Sequence, residues 1–351
     1  MLRLEIDRAR WDAHLAKVDA DIPGLVPVAK GNGYGLGMHR LVDEAVKLGA
    51  DTLAVGTFAE ARSLPEPAEN FSKVVVLTPH LPGDPTEGLP IGLFGRVVHT
   101  VASAEAAADL AGKRVVVECR TSLRRHGIGP DELTGLGAAL AGVHLEGFAL
   151  HLPMSRPRGA HPVAEVATWV ERLNQARLPT STVYVSHLAG PEVAGLGRQF
   201  PNTTFRARVG TKLWLGDRGA LAPKARVLDV EKLGRGDRYG YRQRKAPRDG
   251  QLLVVAGGTA HGIGLAAPKA VAGPIARAKV AAEGGLATLN RTLSPFSWAG
   301  KQRWFAEPPH MQVSLLWLPS DVEPPAVGEY LDVETRMTTT TFDEVVEVLE
   351  V

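Results

Sequence analysis

The 351-residue chain has a single cysteine, Cys119, and no long apolar run. A single thiol cannot form an internal disulfide or a multi-thiolate zinc site, so we expect neither kind of structural cross-link. We also expect a reducing, cytoplasmic location. No apolar stretch approaches the ~20 residues that a membrane helix needs. The opening MLRLEIDRARWDAHLAKV alternates charged and apolar residues and lacks the continuous apolar stretch of a secretory signal. We therefore expect no membrane segment and no metal site.

The sequence also lacks an excess of charge of either sign. Its formal net charge is +2, with 40 Lys and Arg residues scattered among 38 Asp and Glu residues. Without a basic stripe, nucleic acid is not an expected partner. Hydrophobic residues make up 44% and charged residues 22%, an ordinary globular composition that excludes a disordered or collagen-like chain. At about twice the usual single-domain size, the chain suggests one large α/β barrel with a smaller second domain.

Short β-branched runs alternate with longer Ala-, Leu- and Glu-rich stretches between about Leu25 and about Arg208, which is typical of repeated βα units. Eight strands are predicted in this part: Val26–Ala29, Thr52–Gly56, Val74–Leu77, Val97–Val101, Val115–Cys119, Leu145–Leu150, Val183–Val185 and Phe205–Arg208. Their number and spacing favour a (β/α)₈ barrel of the TIM type, and a doubly wound sheet is the alternative.

The amino-acid composition of the sequence changes after Gly216. The segment DVEKLGRGDRYGYRQRKAPRDGQLLVVAGG is rich in Gly, Arg and Asp, with short apolar runs between turn signals. This pattern predicts a mainly-β domain. We place the boundary near Ala225, which gives a barrel domain over residues 1–225 and a β domain over residues 226–351. The first residues of the chain can pack with the second domain.

Lys30 ends the first predicted strand in the segment LVPVAKGNGYGLG and is followed by a glycine-rich loop that carries Tyr34. In a barrel, active sites are built at this carboxyl-terminal rim. A lysine that leaves an apolar strand has a packed stem and a partly desolvated amine, which lowers its pKa and suits it to imine chemistry. Taken alone, the same pattern is also typical of a solvated lysine at a strand end.

The string Lys-Gly-Asn-Gly-Tyr-Gly-Leu-Gly at 30–37 resembles the cofactor-lysine motif of the alanine racemase family, a group of fold-type III pyridoxal-phosphate enzymes. EIDRARWDAHLAKV resembles the opening segment of that family. The resemblance covers essentially the full length, is strong around Lys30 and weakens after residue 250. It implies a barrel with a C-terminal β domain, pyridoxal 5'-phosphate bound as an imine on Lys30, and a homodimer whose sites include residues of the partner chain.

The resemblance also implies three further cofactor contacts. Arg125, in ECRTSLRRHGIG, matches an arginine that hydrogen-bonds the cofactor phenolate and contacts substrate, and Glu118 stands where a carbamylated lysine orients it. His151 matches a histidine that stacks near the pyridine ring. Arg208 matches an arginine that faces the pyridine nitrogen; because guanidinium stays protonated, it would hold that nitrogen unprotonated and discourage transamination. The alternatives are ion pairs for both arginines and a structural role for His151.

Phosphate contacts are expected from Ser186, after the seventh strand, and from Gly210 and Thr211, after the eighth. Loops at these two places commonly bind phosphate in barrels, which is independent of the resemblance. Tyr34 and Phe342 complete the expected cofactor set. Phe342 stands where the family has a tyrosine, so one phosphate hydrogen bond would be lost, at about 1 kcal/mol.

The match breaks at Gly258-Thr259-Ala260-His261-Gly262, where Thr259 replaces the tyrosine that serves the family as a second catalytic base. Racemisation by two bases needs an acid on each face of Cα, and a threonine hydroxyl is too weak an acid for this. If the stretch is a strand, positions 259 and 261 point to the same side, so His261 is a candidate. Tyr239 and Tyr241 are further candidates. The backbone of Met311 is expected to help bind the substrate carboxylate.

The sequence therefore predicts an amino-acid racemase that removes the Cα proton of a small or basic amino acid and has a modified second base. Two alternatives stay open: a related pyridoxal-phosphate enzyme with one-base chemistry, and a non-catalytic pyridoxal-phosphate-binding protein. The known protein of the second kind lacks a β domain. Decarboxylases of this fold type use a C-terminal cysteine, and its D-amino-acid aldolases and dehydratases use a His/Cys zinc site. Cys119 lies in the barrel and supports neither of these activities.

Overall fold

The computed structural model describes residues 1–155, 157, 159, 161–265, 273 and 292–349. The chain divides into two compact units. The barrel unit comprises Asp12–Gly216, and the β unit comprises Met1–Trp11 with Asp217–Val351. Ala225, where the sequence placed the boundary, lies inside a long strand of the β unit, Leu221–Leu233. The units therefore divide earlier, at Asp217.

The first strand, β1 (Leu2–Asp7), belongs to the β unit, and the next eight strands form a closed parallel barrel in sequence order. The last barrel strand pairs with the first, which closes the sheet and excludes a doubly wound arrangement. These strands are β2 (Leu25–Ala29), β3 (Thr52–Val55), β4 (Lys73–Pro79), β5 (Val97–Val101), β6 (Arg114–Cys119), β7 (His144–Leu150), β8 (Thr182–Val185) and β9 (Thr204–Val209). Each overlaps one predicted strand, so the (β/α)₈ fold class is confirmed.

Helices lie before, between and after the barrel strands. They are α1 (Arg8–Asp21), α2 (Met38–Lys47), α3 (Phe58–Arg62), α4 (Ala104–Asp109), α5 (Leu133–Leu140), α6 (Pro162–Gln175), α7 (Gly190–Gln199) and α8 (Thr211–Leu215). Within the described ranges, none of the helices is long and apolar enough to cross a membrane.

Small apolar side chains fill the barrel interior. Val26 and Val28 alternate along β2 and both point into one interior cluster, as the two-residue period of a strand requires. The other members come from the neighbouring strands: Ala54, Val75, Val98, Val116, Ala149 and Tyr184. Burying a valine of this kind stabilises the fold by about 1.5–3 kcal/mol. This layer is apolar apart from the Tyr184 hydroxyl.

The β unit is built on an eight-stranded sheet with the order β13-β16-β15-β14-β17-β10-β1-β18. The strands after the barrel are β10 (Leu221–Leu233), β11 (Arg238–Tyr239), β12 (Arg244–Lys245), β13 (Gly250–Ala256), β14 (Leu293–Trp298), β15 (Lys301–Phe305), β16 (Val313–Pro319), β17 (Tyr330–Val333) and β18 (Glu344–Val348). Strand β1 runs antiparallel to β10 and parallel to β18, so the start of the chain completes this sheet. The expected C-terminal mainly-β domain is confirmed.

Candidate active site

Lys30 follows the last residue of β2 and opens the glycine-rich loop at the carboxyl end of the barrel strands. The residue is exposed at the rim, but the protein around its amine still lowers the pKa of Lys30 below its usual range. Partial burial is the largest cause, and the positive charges of Arg125 and Arg208 add to it. Glu60 acts in the opposite direction. A larger fraction of this amine is therefore neutral near pH 7 than for a free lysine.

Glu60 fixes the peptide that follows Lys30, and the sequence analysis missed it. Its carboxylate accepts from the Gly31 amide at 2.7 Å and from the Gly56 amide at 2.6 Å. It also caps α3 together with Thr57, in a reciprocal capping box. The pattern Thr57-x-x-Glu60 is a recognisable capping-box signal, although only the fold brings it beside the lysine loop.

Tyr34 is buried in the lysine loop and has left-handed backbone angles, with φ of 56°. Burial, assisted by the charge of Glu60, raises the pKa of Tyr34 to about 12, so its hydroxyl keeps its proton. The hydroxyl lies against Gly210, where any side chain would overlap it. Gly210 directly precedes α8, and Thr211 is the exposed first residue of that helix. The structure thus brings Tyr34, Gly210 and Thr211 together.

Arg208 and Glu118 form a buried ion pair between β9 and β6. Nη1 of Arg208 lies 3.2 Å from Oε2 of Glu118, with side chains only 4% and 3% exposed. Among the described residues, Nε and Nη2 of Arg208 have no hydrogen-bond partner although they are buried. Glu118, which was a candidate to orient Arg125, directs its carboxylate to the Arg208 guanidinium on β9 instead.

Arg125 lies in the loop after β6 and is exposed. Its Nη2 is 3.5 Å from Nε2 of the neighbouring His126, which is too long for a strong hydrogen bond. The positive charge of Arg125 nevertheless lowers the pKa values of both Lys30 and His151. Arg125 is therefore a cation near the lysine amine that no carboxylate of the described chain neutralises at salt-bridge distance.

His151 follows β7 and is held by Ser186, which follows β8. Nδ1 of His151 lies 3.0 Å from the Ser186 hydroxyl, and that hydroxyl accepts from the Leu152 amide at 3.1 Å. Burial, then the charges of Arg208 and Arg125, lower the pKa of His151 to about 3, so the ring is neutral. A hydroxyl oxygen has two acceptor sites, so Ser186 can accept from both the Leu152 amide and Nδ1 of His151 while its hydrogen stays available to a third group.

Thr259 and His261 lie in a short 3₁₀ turn, Thr259–His261, so the condition under which they would share one face of a strand is not met. The turn follows two glycines and ends at Gly262, whose left-handed φ of 81° stops an extended chain. His261 is buried, with Nδ1 accepting from the Gly258 amide at 3.2 Å and Nε2 lying 3.0 Å from Asp343. Both of its nitrogens are occupied, as expected for a structural histidine.

The other predicted residues of the β unit differ from one another in their burial and in their contacts. Met311 has a side chain that is 70% exposed, while its carbonyl accepts from the Ala260 amide at 3.0 Å. Phe342 packs against the apolar core of the β unit. Tyr239 donates its hydroxyl to the Ala306 carbonyl at 3.3 Å, and Tyr241 is 84% exposed. In the parts of the chain that the structure describes, no cluster of His, Cys, Asp or Glu is suited to a metal ion.

The barrel unit therefore gathers most of the predicted residues at the carboxyl ends of its strands: Lys30, Tyr34, Arg125, His151, Ser186, Arg208, Gly210 and Thr211. The remainder, Thr259, His261, Met311 and Phe342, belong to the β unit. The barrel rim offers a partly neutral amine, two cations and a neutral imidazole. This set can bind an anionic molecule with a carbonyl group and exchange protons with it.

Comparison with known proteins identifies the family. Residues 6–211 match the family described as alanine racemase, N-terminal domain. The alanine racemase of Mycobacterium tuberculosis is 30% identical over 269 residues, which cover 68% of this chain and 67% of that protein. Among solved structures, the alanine racemase from Bacillus anthracis with bound L-Ala-P has a TM-score of 0.72 at 18% identity, covering 99% of this chain and 95% of that one.

A second solved structure is the alanine racemase from Bartonella henselae with covalently bound pyridoxal phosphate. It has a TM-score of 0.67 at 17% identity, and the match covers 99% of both chains. At these identities the structural matches establish the fold alone. The family match and the M. tuberculosis relative carry the assignment further: the chain belongs to the alanine racemase family.

Proposed function

We propose that this protein is a pyridoxal 5'-phosphate-dependent amino-acid racemase in which Lys30 holds the cofactor and moves the Cα proton. The observation that carries the proposal is the lowered pKa of the Lys30 amine at the barrel rim, beside two arginines. Because more of its amine is neutral near pH 7, a lysine of this kind is more available than a solvated lysine to attack an aldehyde or to accept a proton.

The residues at the rim fit this cofactor. Two buried nitrogens of the Arg208 guanidinium, Nε and Nη2, have no partner among the described residues, and leaving a buried donor unsatisfied costs about 1–3 kcal/mol. A ring nitrogen with a free lone pair is an acceptor that would satisfy one of them. Because guanidinium stays protonated, Arg208 can donate to such a nitrogen but cannot receive a proton from it.

The phosphate would be held on the side of Tyr34. The Tyr34 hydroxyl keeps its proton and lies against Gly210, so we assign it to the phosphate together with the backbone at Gly210 and Thr211. The Ser186 hydroxyl, which lies 3.0 Å from Nδ1 of His151, would add a further contact. Phe342 supplies no hydroxyl and packs in the β unit core.

When bound, the cofactor withdraws the electron pair of the broken Cα–H bond, which makes that proton removable. Lys30 then acts as the base on one face of Cα. Glu60 holds the backbone at Gly31 so that the amine keeps its position. His151, which is neutral, would lie beside the cofactor ring and add no charge there. Arg125, exposed and near Lys30, would bind the substrate carboxylate, assisted by the backbone at Met311.

The substrate would be a small or basic amino acid, and we propose a homodimer in which the β unit of one copy contributes to the site of the other. Family membership supports this arrangement. Light scattering of the cofactor-loaded protein at micromolar concentration should give twice the mass of the 37.4 kDa chain. A monomer with cofactor bound would contradict the shared site.

Incubation in heavy water tests the reaction. The protein with added pyridoxal 5'-phosphate is mixed with individual amino acids, and NMR and chiral chromatography follow deuterium at Cα and inversion. We expect at least one amino acid to gain deuterium, and Lys30→Arg, which keeps the charge but not a usable amine, to abolish the gain. Bound cofactor without exchange on any amino acid would favour a non-catalytic cofactor-binding protein.

A further inference from the structure

A cavity of about 480 Å³ lies in the barrel unit, between the segment that connects β4 to β5 and the strands that follow it. The segment, residues 80–96, contains three prolines and four glycines, which disfavour a helix. It is described throughout and holds one 3₁₀ turn, Ile91–Leu93, in place of an α-helix. Ligand cavities in proteins typically measure about 300–1,000 Å³, so this one has room for a small molecule.

The cavity lies at the opposite end of the barrel from Lys30. Its lining includes Val97, Arg114 and His144, which are the first residues of β5, β6 and β7. Lys30 instead follows the last residue of β2. Because all the barrel strands are parallel, their first residues share one end of the barrel and their last residues share the other. A molecule in this cavity would be bound apart from the residues of the proposed reaction.

His99, in the middle of β5, lines the cavity and is only 5% exposed. Its ring stacks on Phe58, with centroids 5.4 Å apart, and meets the edge of His80 at 6.0 Å. It makes no hydrogen bond to any residue that the structure describes. Burial, then the charges of His80 and Lys113, lower the pKa of His99 to about 4, so the ring is neutral near pH 7. A buried imidazole without a partner is unfavourable, and its N–H group is free to donate to a bound molecule.

The charges around the cavity favour an anion. Lys113 and Arg114 line it, and Glu146 is the one acid among its described lining residues. Both oxygens of Glu146 are already paired, at 2.6 Å from Nε of Arg114 and at 2.6 Å from Nζ of Lys73. Lys113 is paired only loosely, because its Nζ lies 3.9 Å from an oxygen of Glu87, whose side chain is 81% exposed. The ammonium group of Lys113 is therefore available to a carboxylate.

One wall of the cavity is apolar. It is formed by Leu89 and Phe94 of the connecting segment and by Val97 of β5. The Phe94 side chain is 60% exposed, so an apolar group placed against it would remove hydrophobic surface from water. An ammonium group would be repelled by Lys113 and Arg114. These features together select a molecule with one negative charge, an apolar body and no positive charge.

We propose that this cavity is a second ligand site, which binds a small carboxylic acid that carries no amino group. The carboxylate contacts Lys113 and accepts from the His99 ring, and the apolar body packs on Phe94. No bond is made or broken at the site. The proposal does not rest on the proposed function, because none of its residues belongs to the carboxyl-terminal rim.

The test is an NMR titration of the full-length, cofactor-loaded protein labelled in its histidine rings, with phenylacetate as the probe. The His99 signal is identified by its loss in His99→Phe. We expect phenylacetate to shift the His99 signal in a saturable way. The uncharged analogue phenylacetamide should bind about 10-fold more weakly or less, because it offers no charge to Lys113. The His151 signal reports binding at the carboxyl-terminal rim in the same experiment.

Three variants make the result specific. Lys113→Met keeps the length of the side chain and deletes its charge, so the affinity for phenylacetate should fall about 10-fold or more. The affinity for phenylacetamide should stay unchanged. Lys17→Met removes an exposed lysine of α1 that pairs with Asp21, and it should bind phenylacetate like the wild type. His99→Phe keeps a ring against Phe58 but no N–H group, and calorimetry should show a loss similar to that of Lys113→Met.

Four outcomes would overturn the proposal. Phenylacetate that leaves the His99 signal unchanged, or that shifts only the signal of His151, binds outside the cavity. Equal binding of phenylacetamide would exclude a role for the negative charge. Equal affinities of Lys113→Met and Lys17→Met for phenylacetate would exclude the contact with Lys113. Inorganic phosphate that shifts the His99 signal as strongly as phenylacetate does, at the same concentration, would exclude a role for the apolar wall.

Discussion

Nη1 of Arg208 and Oε2 of Glu118 lie 3.2 Å apart in the barrel unit, with both side chains almost completely buried. Removing a guanidinium from water costs several kcal/mol, which a buried carboxylate offsets only when the two groups are in contact. The contact thus keeps a permanent cation at the carboxyl end of β9. It also leaves Nε and Nη2 of Arg208 available to a bound molecule.

Breaking this pair should destabilise the barrel strongly. Glu118→Gln removes the negative charge at nearly constant size, and we expect the free energy of unfolding to fall by about 3–5 kcal/mol in urea denaturation. Replacing both partners, Glu118→Leu with Arg208→Met, should recover most of the loss, because no buried charge is then left alone. Arg120→Gln, which removes an exposed ion pair with Glu132, is the control and should cost about 1 kcal/mol or less. Equal effects of Glu118→Gln and Arg120→Gln would contradict the role of burial.

Glu60 should control how well Lys30 is placed. In Glu60→Gln only one side-chain oxygen remains as an acceptor, so the amides of Gly31 and Gly56 cannot both be satisfied. A lost hydrogen bond to a charged group is worth about 1.5–3 kcal/mol, so cofactor affinity should fall about 10- to 100-fold in a fluorescence titration. Because the charge of Glu60 raises the pKa of Lys30, that pKa should fall further in the variant.

The control for Glu60 is Glu329→Gln. Glu329 also accepts from a backbone amide, that of Ala326 at 2.6 Å, but it lies in the β unit. Its replacement should leave cofactor affinity at the wild-type value. Equal losses in the two variants would mean that the effect of Glu60 is general rather than local to the lysine loop.

Acid should destabilise the barrel through His99. Burial, then the charges of His80 and Lys113, lower the pKa of His99 to about 4, against an ordinary 6.5. The unfolded chain therefore binds the proton first as pH falls through 6.5, so stability decreases between pH 6.5 and about 4. By linkage the loss from this group between pH 6.5 and 5 is about 2 kcal/mol. His99→Phe should remove this part of the slope in urea denaturation, and a variant with the wild-type slope would show that another group titrates.

The fold could be predicted because the sequence features that indicate it lie within short, continuous segments. The barrel strands are short, apolar and evenly spaced, and β2 to β9 appear in the sequence as separate β-branched runs. Lys30 was predictable for the same reason, since its glycine-rich loop is continuous in sequence. The boundary was placed too late because β10 is unusually long, Leu221–Leu233, and crosses the point where the composition changes.

The missed parts of the site depend on contacts between distant segments. Glu118 was assigned to Arg125, close in sequence, but pairs with Arg208 on a strand that only barrel closure brings near. The conformation at Thr259 stayed open in the sequence, because the glycines around it permit either a strand or the turn that is found.

The claim that Lys30 carries the cofactor is tested most directly by borohydride reduction of the protein incubated with pyridoxal 5'-phosphate, followed by peptide mass spectrometry. We expect a yellow protein, one labelled peptide that contains Lys30, and loss of both colour and label in Lys30→Ala. Lys212→Ala, at an exposed lysine of α8, should be labelled like the wild type. A label spread over surface lysines, or retained in Lys30→Ala, would contradict the assignment of the cofactor to Lys30.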